Sequence, residues 1–152
     1  MDKIIILDTS CLIALQNIGL LNILRDLYQE IIITQEVKNE FGLKLPDWFV
    51  VVEVKNKDKQ YEIEEKLDKG EASSIALALE TSNSMLIIDE IKGRKIAQSL
   101  NIQIIGTLGI LILAEKQGII TNILSLILKL VNKGFRLSDN LIDKLIDKYS
   151  KR

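Results

Sequence analysis

The chain contains no histidine. That absence excludes the Ser-His-Asp triad, the Cys-His pair and every histidine-ligated zinc or iron centre. Cysteine occurs once, at Cys11, so an internal disulfide and a cysteine-rich metal site are excluded as well. Chemistry carried by this chain rests on carboxylates, hydroxyls, lysine, arginine or tyrosine. No G-x-x-x-x-G-K-[ST] segment occurs, which excludes a P-loop nucleotide hydrolase. Aromatic residues make up only 5%; Trp48, beside the single proline Pro46, reads as a packing anchor, with no second aromatic nearby that would make a base-stacking platform. No apolar run approaches the roughly 18 residues of a membrane span. The longest, Ile119 to Val131, is interrupted by Thr121, Asn122, Ser125 and Lys129. The start Met1-Asp2-Lys3 leads straight into an apolar run and does not resemble a signal peptide, so a cytoplasmic location is expected. An excess of one charge is also missing. Twenty basic and 21 acidic residues leave a net charge of −1, so any attraction for nucleic acid depends on a local basic face.

What is present is aliphatic. Hydrophobic residues are 47% of 152, enough for a packed core in one domain spanning 1–152. Strand-like runs cover Lys3 to Leu7, Glu30 to Ile33, Phe49 to Val54, Met85 to Ile88 and Ile102 to Ile105. Helical spacing fills the gaps. It runs from Cys11 to Leu27 with a break at Asn17 to Gly19, then from the cap Thr34 to about Phe41. Lys55 to Lys59 reads as a charged loop. Gln60 to Lys69 reads as a helix that Gly70 breaks, and Glu71 to Glu80 as the next one. Further helices are predicted over 90–100, from a Thr107 cap to Lys116, over 121–132 and over 138–148. Alternating strands and helices predict an α/β fold: a three-layer α/β/α arrangement around a central parallel sheet of four to five strands, with two extra C-terminal helices. The core is expected over 3–116 and a helical extension over 117–152. The apolar surplus of Leu12 to Leu27 and Ile119 to Leu130 predicts a dimer face.

Two of the strands end in an acid: Ile4-Ile5-Ile6-Leu7-Asp8 and Met85-Leu86-Ile87-Ile88-Asp89. In an open parallel sheet the ligand crevice lies outside the carboxyl ends of the strands. Asp8 and Asp89, far apart in sequence, are thereby brought towards one place. Each alone reads as a helix cap; the pairing is what points to a divalent cation, because carboxylate oxygens are hard ligands suited to Mg²⁺ or Mn²⁺. Glu71 opens a helix, and helix starts face the same crevice. Glu40 closes one, where an acid invites a compensating cation. Glu36, one turn earlier, is its substitute. Ser10 is a candidate to cap a helix or hold a metal-bound water, and Lys92 and Arg94 are candidates to meet phosphate oxygens. Cys11 reads as a small core residue, with no histidine to activate it.

The segments 6–15, 33–41, 68–78 and 86–97 resemble the PIN domain, a family of Mg²⁺- or Mn²⁺-dependent ribonucleases that includes the VapC toxins. The resemblance implies that Asp8, Glu40, Glu71 and Asp89 are the four metal-binding and catalytic acids, with Thr9 and Ser10 as accessory hydroxyls. It implies an RNA substrate cut by metal-activated water, and a toxin held by an antitoxin protein. The stretches 105–111 and 134–141 are similar to a prokaryotic PIN subgroup. The alternative is a non-catalytic module on the same scaffold that binds RNA or a protein. A phosphoaspartate switch lacks its strand-end lysine, since Gly106 and Thr107 follow Ile105. A haloacid-dehalogenase-type phosphatase lacks the second aspartate, since Ser10 stands in its place.

Overall fold

The computed structural model describes residues 3–150; Met1 and Asp2 of the predicted start, and the last two residues of the 1–152 domain, lie outside the described residues. The elements run β1 (Ile4–Leu7), α1 (Thr9–Asn17), α2 (Asn22–Leu27), β2 (Glu30–Thr34), α3 (Gln35–Phe41), β3 (Phe49–Val52), α4 (Lys57–Glu64), α5 (Lys69–Leu79), β4 (Ser84–Ile87), α6 (Ile91–Ser99), β5 (Ile104–Ile105), α7 (Thr107–Lys116), α8 (Ile123–Asn132) and α9 (Asp139–Ser150). All five strands pair in parallel, in the order β3-β2-β1-β4-β5.

Isoleucine-rich strands suit burial on both sides, and the pleat sends alternate side chains to opposite layers. Ile5, Leu7, Ile31, Ile33 and Ile87 enter one core, with α1, α2, α7, α8 and α9 packed over them. Ile6, Ile32, Leu86 and Ile88 enter the other, covered by α4, α5 and α6. This is the three-layer α/β/α architecture the sequence predicts, with five strands. Trp48 stacks on Phe49 at 4.6 Å between ring centroids and packs against the first core.

Within the segment predicted as a helical extension, described residues up to 150 contribute to that core. Ile123, Leu126, Ile127 and Leu130 of α8, and Leu145 and Tyr149 of α9, are buried there. Burying one such aliphatic side chain stabilises by about 1.5–3 kcal/mol. Most of the apolar surplus assigned to a dimer face is thus covered within the chain, as Leu12, Leu15, Ile23, Leu24 and Leu27 are also buried.

Several helices open on side-chain caps, which satisfy the first helical N–H groups. Asp8 accepts from Cys11 N–H, Thr34 from Val37 N–H, Asp68 from Glu71 N–H and Glu90 from Gly93 N–H. The structure shifts several sequence-predicted boundaries. Asn56 caps α4, so helix replaces most of the charged loop expected over Lys55 to Lys59. Gly70 does not break a helix; it lies in the first turn of α5, which Asp68 starts. Thr107 is not a cap, because Gly106 holds that position and the threonine side chain is engaged elsewhere.

Connections run from β1 outward to β2 and β3, then return to β4 on the other side of β1. The direction of winding therefore reverses between β1 and β4, and the crevice of an open α/β sheet opens at that point. Leu7 pairs with Ile87, which sets the residues that follow them side by side.

Candidate active site

Asp8 and Asp89 leave the adjacent ends of β1 and β4, and one residue links them. Cys11 donates its main-chain N–H to Asp8 Oδ1 at 3.0 Å and its thiol to Asp89 Oδ2 at 3.1 Å. Asp89 is further fixed from the start of α7. Thr107 N–H reaches Oδ1 at 2.8 Å and the Thr107 hydroxyl reaches Oδ2 at 2.6 Å. Asp89 is therefore no cap for α6, a role filled by Glu90. Glu40, at the end of α3, accepts from the Thr9 hydroxyl at 3.3 Å, and the main-chain N–H of Gly70 also faces its carboxylate. Glu71 stands as the third residue of α5, beside Asp68.

Three glycines let these groups approach, and a Cβ on Gly93 would stand 2.8 Å from Glu71 Oε2. A Cβ on Gly70 would overlap Glu40 Oε1 and stand 2.9 Å from Thr9 Oγ1. A Cβ on Gly106 would stand 2.9 Å from Asp89 Oδ1. The starts of α1, α5 and α7 and the end of α3 thus meet around one set of acids at the carboxyl edge of the sheet.

The profile of a family described as a PIN domain matches residues 4–151. The chain belongs to the PIN domain family. No curated protein and no solved structure matches it. A PIN domain is a nuclease-type fold, and families of this kind work with divalent metals.

In this PIN domain the acids crowd one another. Asp8 is buried, and burial is the main reason its carboxyl is pushed from 3.8 up to about 6, with the charges of Asp89 and Asp68 adding to it; the Cys11 hydrogen bonds work in the opposite direction. Glu71 is pushed from 4.5 to about 8, first by burial, then by Asp68, Asp8 and Glu90. Glu40 is raised by burial and by Asp68. Cys11 is held well above the ordinary thiol range by burial and by the charges of Asp8 and Asp89, so it stays a donor.

Two buried oxygens here have no protein partner: Asp8 Oδ2 and Glu71 Oε2. Oxygen acceptors left bare in a cluster of negative charge suit a hard divalent cation. The donor set of the PIN domain fits such an ion in chemistry. Among the described residues, no three acidic or cysteine side chains yet converge as a ready ligand group.

The four acids implied by the resemblance lie at this edge of the sheet. Other predicted residues make contacts of their own. Glu36 pairs with Lys57 at 3.4 Å and with Gln60, both on α4. Arg94 donates to the main-chain carbonyl of Ile88 at 2.7 Å, and Lys92 is exposed at the start of α6, its charge acting on Glu90. Ser10 is exposed beside the site, without a side-chain hydrogen bond among those found. The reading of the sequence missed Asp68 and Glu90, which enter the cluster as caps, and Thr107. A signal existed for Asp68, because Asp68-x-x-Glu71 has the spacing of a capping box. No helix among the described residues is long and apolar enough to cross a membrane.

Proposed function

We propose that this PIN domain is a divalent-metal-dependent endoribonuclease. The observation that carries the reading is the pair of bare, buried acid oxygens on Asp8 and Glu71 beside Asp89, at the reversal point of the sheet. Asp8 and Asp89 would hold Mg²⁺ or Mn²⁺, with Glu71 and Glu40 completing its surroundings directly or through water. When bound, such an ion lowers the pKa of water and stabilises charge on a leaving oxygen. The chain's own residues do the rest. Thr107 and Cys11 fix the orientation of Asp89, Thr9 orients Glu40, and Glu71 keeps a proton near neutrality unless a cation lowers its pKa.

The test is cleavage of a mixed RNA pool with Mn²⁺ by the wild type and by Asp8→Asn and Asp89→Asn. Loss of cleavage in both variants, with folding intact, supports the reading; metal-dependent cleavage at the wild-type rate in both refutes it. One competitor is a module that binds RNA or a protein without cutting, in keeping with no three such side chains converging among the described residues. Calorimetric titration with Mn²⁺ separates the two, since no binding would favour the competitor. A toxin role, an antitoxin partner and a homodimer are further proposals drawn from the family and the apolar surface. Exposed Ile13 and Leu128 are what remains for self-association on α1 and α8.

A further inference from the structure

One groove of about 560 Å³ opens beside the acid cluster. That size is in the range of small-molecule sites, roughly 300–1,000 Å³. Its lining comes from three stretches far apart in sequence. Ser10, Ile13, Ala14 and Asn17 contribute one side of α1; Asp89, Glu90 and Ile91 contribute the turn after β4. The third stretch is the end of α8 and the turn that follows, with Lys133, Phe135 and Arg136. From Ser10 to Asn17 the helix rises about 10 Å, the reach of one or two nucleotides rather than of a duplex.

The groove carries both signs of charge. Asp89 and Glu90 belong to the acid cluster, whereas Lys133 and Arg136 are exposed and take part in no ion pair among the described residues. Phe135, half-buried, lies between the two cations in sequence and lines the same groove. Unpaired cations beside an aromatic face are the combination that holds single-stranded nucleic acid: the cations meet phosphates and a base stacks on the ring. Lys92 and Arg94, by contrast, do not line the groove.

We infer that the α8–α9 turn is the strand-binding wall of this PIN domain, with Lys133 and Arg136 on the phosphates of a single-stranded RNA and Phe135 under one of its bases. The inference rests on the ribonuclease reading for the identity of the strand. It gives the C-terminal helices a task beyond covering the sheet: they carry these three residues to the mouth of the acid cluster. A second copy of the chain is the other occupant an apolar groove admits, but the free cations beside a metal-type acid cluster favour a polyanion.

The experiment is fluorescence anisotropy with a labelled, mixed-sequence single-stranded RNA, in EDTA and again with Ca²⁺, over a range of salt. Wild type is compared with the Lys133→Ala, Arg136→Ala double variant and with Phe135→Leu. Removing two phosphate contacts should flatten the salt dependence of log affinity by about 1.4, at about 0.7 per contact for single strands. Loss of one stacked base should weaken binding roughly 5- to 150-fold. Unchanged affinity and salt slope in the double variant would overturn the inference, as would a wild type that binds no RNA. So would groove variants that only convert a dimer to a monomer in sedimentation. Should Phe135→Leu fail to fold, the double variant still decides, because its two side chains are exposed. The two readings fail separately. Binding that depends on Lys133 and Arg136 without cleavage in Mn²⁺ removes the nuclease and keeps the wall; cleavage with an indifferent double variant removes the wall and keeps the nuclease.

Discussion

Replacing Asp8 by asparagine should make the metal-free protein more stable at neutral and alkaline pH. The side chain is 1% exposed, one oxygen caps α1 and the other has no partner. Asparagine caps a helix as well as aspartate does, so the bond to Cys11 N–H survives. What disappears is a buried charge. The folded carboxyl is raised from 3.8 to about 6, so the folded state holds its proton more tightly than the unfolded chain. The sign follows. Its contribution is full below pH 3.8, is lost as pH rises towards about 6, and stays lost above. Glu71 acts in the same sense between 4.5 and about 8. For Asp8 the difference amounts to about 3 kcal/mol at 1.36 kcal/mol per unit. An unpaired amide N–H in the variant gives back roughly 1–2 kcal/mol of it. A net gain of about 1–2 kcal/mol should raise Tm by about 2–8 °C near pH 8 in a chain of this size. Near pH 4 the gain should vanish and the variant should be slightly the less stable of the two. Mn²⁺ should raise Tm of the wild type more near pH 8 than near pH 5, and that of the variant little. Thermal unfolding by circular dichroism, in EDTA and with Mn²⁺, provides the measurement. A wild type that gains stability between about pH 4 and pH 8 without metal, or a variant that melts lower near pH 8, would refute the account of a cluster strained by its own charge.

Other variants probe the supports. Thr107→Val removes the hydroxyl that holds Asp89 at 2.6 Å and should weaken Mn²⁺ binding about 10- to 100-fold, with Asp8 still in place; calorimetry reads it, and unchanged affinity would deny Thr107 a positioning role. Gly70→Ala puts a methyl against Thr9 and the flexible end of exposed Glu40, so it should cost at most about 1 kcal/mol in denaturant unfolding once the better helix propensity of alanine is counted. A stabilised variant would mean that the crowding is absent. Leu130→Ala should cost about 2–5 kcal/mol, since that side chain is buried with the main core; a loss under about 1 kcal/mol would make α8 an appendage.

The strands were legible because β-branched runs bounded by charges have few other readings, and Asp8 and Asp89 were legible because each ends such a run. Thr34 announced α3 by ordinary capping chemistry. Gly70 misled, because a glycine reads as a breaker from propensity alone, whereas here the missing Cβ admits a neighbouring helix. Thr107 misled in the other direction: its residue type suits a cap, and only the fold brings a carboxylate within reach of its hydroxyl. Lys92 and Arg94 were named because they stand near Asp89 in sequence, and the Arg94 guanidinium lies by Gly106, beside Asp89. Lys133 and Arg136 were invisible for the opposite reason, being brought to the groove by a core contact of α8 that no local pattern encodes.

The reversal of the sheet between β1 and β4 also sets when the site comes into being. Asp8 is made before its neighbour Asp89, which follows only after β2, β3 and the helices between. Parallel pairing of distant strands is a slow step, because the loop must close before any contact rewards it. The nascent N-terminal half therefore carries Asp8, Glu40 and Glu71 without Asp89. Assembly of the acid centre waits for β4 to dock beside β1, and for α7 to arrive and clasp Asp89.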